Sequence, residues 1–142
     1  MGVRYLPRKL PLEDLVKLLV REHKEIRDGL LRGREAAARG DFASVKSILG
    51  ELDSLFRQHI VDEESQILGL LVRKLGVKGA EREIAVFRQH RPIYGLLQRV
   101  SELASESAVE LEGKEDELEA LFNRHALAEE SEVFPKAVSL GG

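Results

Sequence analysis

The chain has 142 residues, 43% hydrophobic and 33% charged, with a net charge of −3 from 22 basic and 25 acidic side chains. That length suits one domain with a real core, and the interspersed charges offer no basic block for nucleic acid. There are no cysteines, which excludes disulfides, iron–sulfur ligation, thiolate zinc sites and cysteine nucleophiles.

Residues 1–10 read as a short basic arm, and residues 11–142 as one helical domain. Leu, Glu, Ala, Arg and Lys dominate, while Thr and Trp are absent, so helix is favoured throughout. Pro11 suits a first helical residue, with Glu13 and Asp14 in the opening turn. Leu15, Leu18, Leu19, His23, Ile26 and Leu30 then follow one helical stripe, which should stop near Gly40. Asp41 reads as the cap of a second helix whose stripe is Val45, Ile48, Leu52, Phe56, His59, Glu63, Ile67 and Leu70. That helix should end in the turn around Gly76 and Gly79. A third carries Ile84, Phe87, His90, Tyr94 and Leu97 and should end near Ser105–Ser107. Pro92 lies inside it and should bend it. The fourth carries Leu118, Phe122, His125, Glu129 and Val133, with Pro135 near its end.

The two halves repeat. Leu55–Ser65 (LFRQHIVDEES) and Leu121–Ser131 (LFNRHALAEES) share Leu, Phe, His, both Glu and Ser. The same shift carries the cap Asp41 onto Ser107 and Gly76 onto Gly142. Two similar helical hairpins predict an all-α, up-down four-helix bundle.

All four histidines fall in this frame. His23 precedes His90 by 67 positions, and His59 precedes His125 by 66. His59 and His125 each have a glutamate four residues later, Glu63 and Glu129. Residues four apart on a helix differ by only about 40° of rotation, so each pair projects together towards the bundle axis. The spacing predicts a single metal site of four imidazoles and two carboxylates, donors suited to borderline ions. Two carboxylates in an apolar interior would otherwise need cationic partners or protonation. The residue three before each histidine is apolar (Val20, Phe56, Phe87, Phe122) and should form a layer that shields the site. That pattern lacks the Glu-x-x-His of ferritin-like di-iron bundles, and no HExxH motif is present. Glu64 and Glu130 stand about 140° round from the histidines before them, so they should point away as solvated or outer charges.

With a histidine on helices one and three and His-x-x-x-Glu on helices two and four, the chain resembles the hemerythrin-like HHE cation-binding family over about Leu12 to Pro135. HIVDEE and HALAEESEVFP are similar to that family's repeated segments. The resemblance implies two iron ions with an oxo or hydroxo bridge. It makes His23, His59, His90 and His125 terminal ligands, and Glu63 and Glu129 bridging ones. Oxygen-carrying members have a further histidine where this chain has Tyr94, and an aspartate in register with Glu130. In this respect the chain is more similar to iron-centre repair proteins and to iron or oxygen sensors. Two six-coordinate irons offer about twelve positions, and the set leaves about two for solvent, small ligands or Tyr94. Tyr94 could coordinate, donate a hydrogen bond to a ligand, or fill the core.

The resulting expectation is a protein that binds or reacts with O2, NO or peroxide. Its role would be sensing, scavenging, iron handling or iron-centre repair. The alternatives are the same cage holding zinc or manganese, or a helical interaction module. No Ser-His-Asp arrangement, phosphate loop or dinucleotide fingerprint is legible, so any catalysis belongs to the metal. The apolar run Leu15–Val20 is interrupted by Lys17, and no stretch approaches the roughly 18 apolar residues of a membrane span. A cytoplasmic monomer or homodimer, with neither nucleic acid nor membrane as partner, is expected.

Overall fold

The computed structural model describes residues 5–104 and 108–141. It contains four long helices, with no strand among the described residues. The first is α1 (Leu12–Ala38). The second runs as α2 (Phe42–Asp62), a wide π-helical turn (Glu63–Leu68) and α3 (Gly69–Gly79). The third is α4 (Glu81–Phe87) followed by α5 (His90–Leu103). The fourth is α6 (Ala108–Ala128), a second π-helical turn (Glu129–Val133) and α7 (Phe134–Gly141). Both π-helical turns begin at the glutamate of a His-x-x-x-Glu pair, so the repeat extends to this backbone irregularity.

The ends of these helices follow from local chemistry. Pro11 stands one position before α1 rather than within it, and its carbonyl accepts the Leu15 N–H at 2.9 Å. At the other end Gly40 takes φ 73°, a conformation costly for a residue with a Cβ. This lets the Asp41 N–H reach the Ala36 carbonyl, and the Gly40 N–H the Ala37 carbonyl, each at 2.9 Å. Asp41 then opens α2 at once, accepting from the Ser44 N–H at 3.2 Å and the Ser44 hydroxyl at 2.6 Å. The matching cap expected at Ser107, and the glycine matched at Gly142, lie outside the described residues. The third helix ends at Leu103, slightly earlier than the Ser105–Ser107 segment suggested.

The third helix is interrupted where Pro92 predicts a disturbance. The regular α-helical pattern stops at Arg88 and Gln89, which keep right-handed helical dihedrals while the Gln89 N–H turns to the Val86 carbonyl at 3.1 Å, and it resumes at His90. Pro92 has no N–H for the Arg88 carbonyl, and its ring crowds that same oxygen. The break therefore falls four residues before the proline, next to a histidine.

α1 lies along α2 and α5 along α6, while α1 against α6 and α2 against α5 close the ring. At Gly29 the first two helices approach so closely that a Cβ would meet Leu52 Cδ2 at 2.5 Å. The interior is two apolar clusters rather than one. One includes Ile26, Leu30, Leu52, Phe56, Leu97, Leu118 and Phe122. The other includes Leu15, Leu19, Ile67, Leu71, Phe87, Val133 and Phe134. Between them lies a buried polar layer.

Candidate metal centre

That layer consists of His23 from α1, His59 from α2, His90 from α5 and His125 from α6, with Glu63 and Glu129 from the two π-helical turns. All six are buried, and Glu63 and Glu129 are 0% exposed. Each carboxylate faces three imidazoles through their Nε2 atoms. Glu63 touches His59, and its two oxygens lie 2.9 Å from His90 and 3.7 Å from His23. Glu129 lies 3.0 Å from both His23 and His125, and 3.8 Å from His90. The rings pair as His23 with His59 and His90 with His125, each pair with centroids 4.8 Å apart.

Two overlapping ligand sets result. One is His23, His59, Glu63 and Glu129; the other is Glu63, His90, His125 and Glu129. In each set the donor atoms lie within 4.8 Å of one another, and the two glutamates belong to both. The six histidine and glutamate positions expected from spacing are all brought together.

The apolar shield differs from the expected single layer. Neighbouring helices run antiparallel, so the residue one turn before each histidine lies alternately on either side of the site. Phe56 and Phe122 belong to one apolar cluster, Val20 and Phe87 to the other. His23 is consequently held between Phe122, edge-on at 5.8 Å, and Phe134, stacked at 5.8 Å. His90 is held between Phe56 and Phe87, both edge-on, at 6.1 and 5.4 Å.

Tyr94 is not part of this cluster. Its ring stacks on Phe56, and its hydroxyl accepts a hydrogen bond from Arg57 on the exposed side of the bundle. The Arg57 guanidinium also lies 5.0 Å from the ring centre. Of the three roles open to it, this placement favours filling the interior beside Phe56.

Glu64 and Glu130 do point away from their own helix's histidine, but not into open solvent. Each reaches the histidine of the next helix. Glu64 bonds His90 Nδ1 at 2.8 Å, and Glu130 bonds His23 Nδ1 at 2.8 Å. The paired glutamates thus clamp both edges of one ring. The remaining Nδ1 atoms meet residues that spacing did not single out: His59 bonds Glu22 at 2.9 Å, and His125 bonds Gln89 Oε1 at 2.9 Å. Glu22 and Gln89 directly precede His23 and His90, so they share the same internal repeat. That was the one signal available for them.

The arm is part of this scaffold too. Arg8 donates from its backbone N–H and from Nε to Asp62, both at 2.7 Å, and from Nη2 to Glu22 at 2.8 Å. Gln58 and Gln66 hold the Leu6 and Arg8 carbonyls. A ten-residue segment with three basic side chains gave no reason to expect this docking.

The donors fit metal ions. His59 Nε2, Glu63 Oε1, His125 Nε2 and Glu129 Oε2 are buried yet make no hydrogen bond. Some lie close to one another, as with His125 and Glu129, but without hydrogen-bond alignment. Unsatisfied buried nitrogens and oxygens converging on shared points are what a cation would complete. A family model, the hemerythrin HHE cation binding domain, matches residues 14–137.

The chain belongs to the hemerythrin HHE family.

No curated protein and no solved structure matches it significantly. An HHE domain binds metal cations, and the buried His/Glu groups could hold a metal ion. Without a cation, protons take its place. Burial opposes charging His23, but its bonds to Glu129 and Glu63 prevail and push its pKa up to about 10. Burial likewise opposes charging His59, and the Glu63 charge with the Glu22 and Glu63 hydrogen bonds raises it to about 9. His90 is raised well above its ordinary value: burial is outweighed by Glu129, Glu63 and Glu64. Glu63 moves the other way: burial opposes its charge most strongly, but the His59 charge together with hydrogen bonding to Glu129, His23 and His59 holds it well below the usual carboxylate range. No helix among the described residues is long and apolar enough to cross a membrane.

Proposed function

We propose that this HHE domain binds two iron ions side by side and that the pair binds or reacts with O2, NO or peroxide. One observation supports this above the rest. The two ligand sets share Glu63 and Glu129, so both carboxylates would help to hold each of two cations there. Iron bound there would supply reversible electron transfer to a small oxygen- or nitrogen-containing ligand. The protein's part is to fix imidazole orientation through the four Nδ1 contacts, to neutralise the cations with buried carboxylates, and to exclude water with Phe56, Phe87, Phe122 and Phe134.

Imidazole and carboxylate also suit zinc or manganese, and such a cage is the principal alternative. Metal analysis of protein from its native host separates the two. The iron reading expects about two irons per chain, an iron–oxygen absorbance band in aerobic protein, and loss of metal in His59→Ala and Glu129→Ala. Full occupancy in both variants would refute it. Anaerobic titration of the reduced protein with O2 and with NO then separates carriage, irreversible oxidation and nitrosyl formation. A helical interaction module is favoured instead if chelation leaves the melting temperature unchanged.

A further inference from the structure

The four imidazoles use their outer nitrogens differently, and the difference divides along the two ligand sets. In the His23/His59 set both partners are carboxylates: Glu130 for His23 and Glu22 for His59. In the His90/His125 set one partner is Glu64 and the other is the neutral amide of Gln89. The internal repeat makes Glu22 and Gln89 counterparts, so this is a charge change at one matched position.

Burial widens the contrast. Glu22 is 3% exposed, whereas the Glu64 side chain is 47% exposed. Water screens Glu64, and Arg88 and Arg91 border the same surface groove as Glu64 and His90. Glu22 is also fixed from behind, because Arg8 holds its second oxygen at 2.8 Å. Arg8 does not cancel its charge outright. One guanidinium is shared between Glu22 and Asp62, so the group retains one net negative charge beside His59. At the other outer carboxylate of this set, Glu130, the opposing cation is Arg27, 3.8 Å away and 40% exposed. A carboxylate behind a ligating imidazole fixes the ring and raises its basicity, and such partners change metal affinity by about 10- to 100-fold.

We propose that the two cation positions are ranked, the one at His23 and His59 filling first and emptying last, with Glu22 as the positioning residue that sets the order. This rests on the two-cation reading. The test titrates metal-free protein with Zn2+, a diamagnetic probe, and follows the histidine 15N resonances, assigned with single histidine variants. The first equivalent should move His23 and His59, and the second His90 and His125, with affinities about 10- to 100-fold apart by chelator competition. Glu22→Gln should close the gap by weakening the first position. Gln89→Glu should close it by strengthening the second, and this variant carries the test if Glu22→Gln fails to fold. A first equivalent that moves His90 and His125, or all four together, overturns the ranking. So does a gap that persists in Gln89→Glu. Uptake of a single Zn2+ on His23 and His59 at saturation would sink the two-cation reading and the ranking with it. No uptake at all sinks both.

Discussion

Replacing Arg8 with alanine tests whether the arm is a structural part of the metal layer. Arg8 Nη2 lies 2.8 Å from Glu22 and 2.6 Å from Asp62, and among the described residues no other cation apart from histidine pairs with either carboxylate. The carboxylate side chains are 4% and 0% exposed, while that of Arg8 is 37% exposed. Deleting one partner of a buried ion pair costs about 3–5 kcal/mol, and an exposed pair is worth about 0–1 kcal/mol. With the cation partly screened and both anions buried, a loss of about 2–3 kcal/mol is expected. Unfolding entropy of roughly 2.1 cal/mol/K per residue gives about 0.3 kcal/mol/K for this chain, so the melting temperature should fall by about 7–10 °C. The sign of the pH dependence follows from Glu22. Burial raises its pKa, but the His59 and Arg8 hydrogen bonds prevail and hold it below the ordinary 4.5. A depressed carboxylate contributes stability that is present above its unfolded value and lost as pH falls through the folded one. The Arg8→Ala penalty should therefore be full at about pH 7 and shrink below about pH 4.5. Circular dichroism melting of metal-free protein at about pH 7 and pH 4 measures both. A fall under about 3 °C at neutral pH, or the same fall at both values, would refute the reasoning.

Metal stabilisation should increase with pH. His23 and His59 are raised from 6.5 to about 10 and about 9, so their charged pairs stabilise the metal-free fold fully below about pH 6.5 and lose that effect as pH rises through 9–10. A cation must displace those protons, so the melting-temperature gain on adding Zn2+ should be larger at about pH 9 than at about pH 6; an equal or smaller gain contradicts it. Pro92→Ala should restore a donor for the Arg88 carbonyl and straighten the third helix. That should raise metal-free stability by about 1 kcal/mol while re-aiming Gln89 and His90 and weakening metal binding about 10-fold. Tighter binding in a chelator competition would show that the break does not position the site. Gly29→Ala and Gly50→Ala should have opposite signs. At Gly29 the new methyl meets Leu52, so about 1 kcal/mol is lost on balance; at Gly50 nothing lies within 4 Å, and about 0.5–1 kcal/mol of helix stability is gained. Melts that move the same way would place the close approach of α1 and α2 elsewhere.

What could be read from the chain alone was whatever depends on short intervals. The stripe through His59 and Glu63 is set by 3.6 residues per turn, and the cap at Asp41 by its own side chain reaching Ser44. Because the hairpin is repeated, these local rules recur and place six candidate metal-binding side chains in one layer; the family resemblance drawn from them agrees with the match over residues 14–137. The outer contacts are not local. Glu64 is 26 residues from His90, Glu130 is 107 from His23, and Glu22 is 37 from His59. Which ring each one meets depends on which helix lies alongside and in which direction it runs. The same antiparallel order turns the expected apolar layer into two, and sends the Tyr94 hydroxyl to Arg57 rather than to the cluster. Helical periodicity reports the face of one helix. The charge on the far side of an imidazole, and hence how tightly a cation is held, is set by the neighbouring helix, and only the assembled bundle specifies that neighbour.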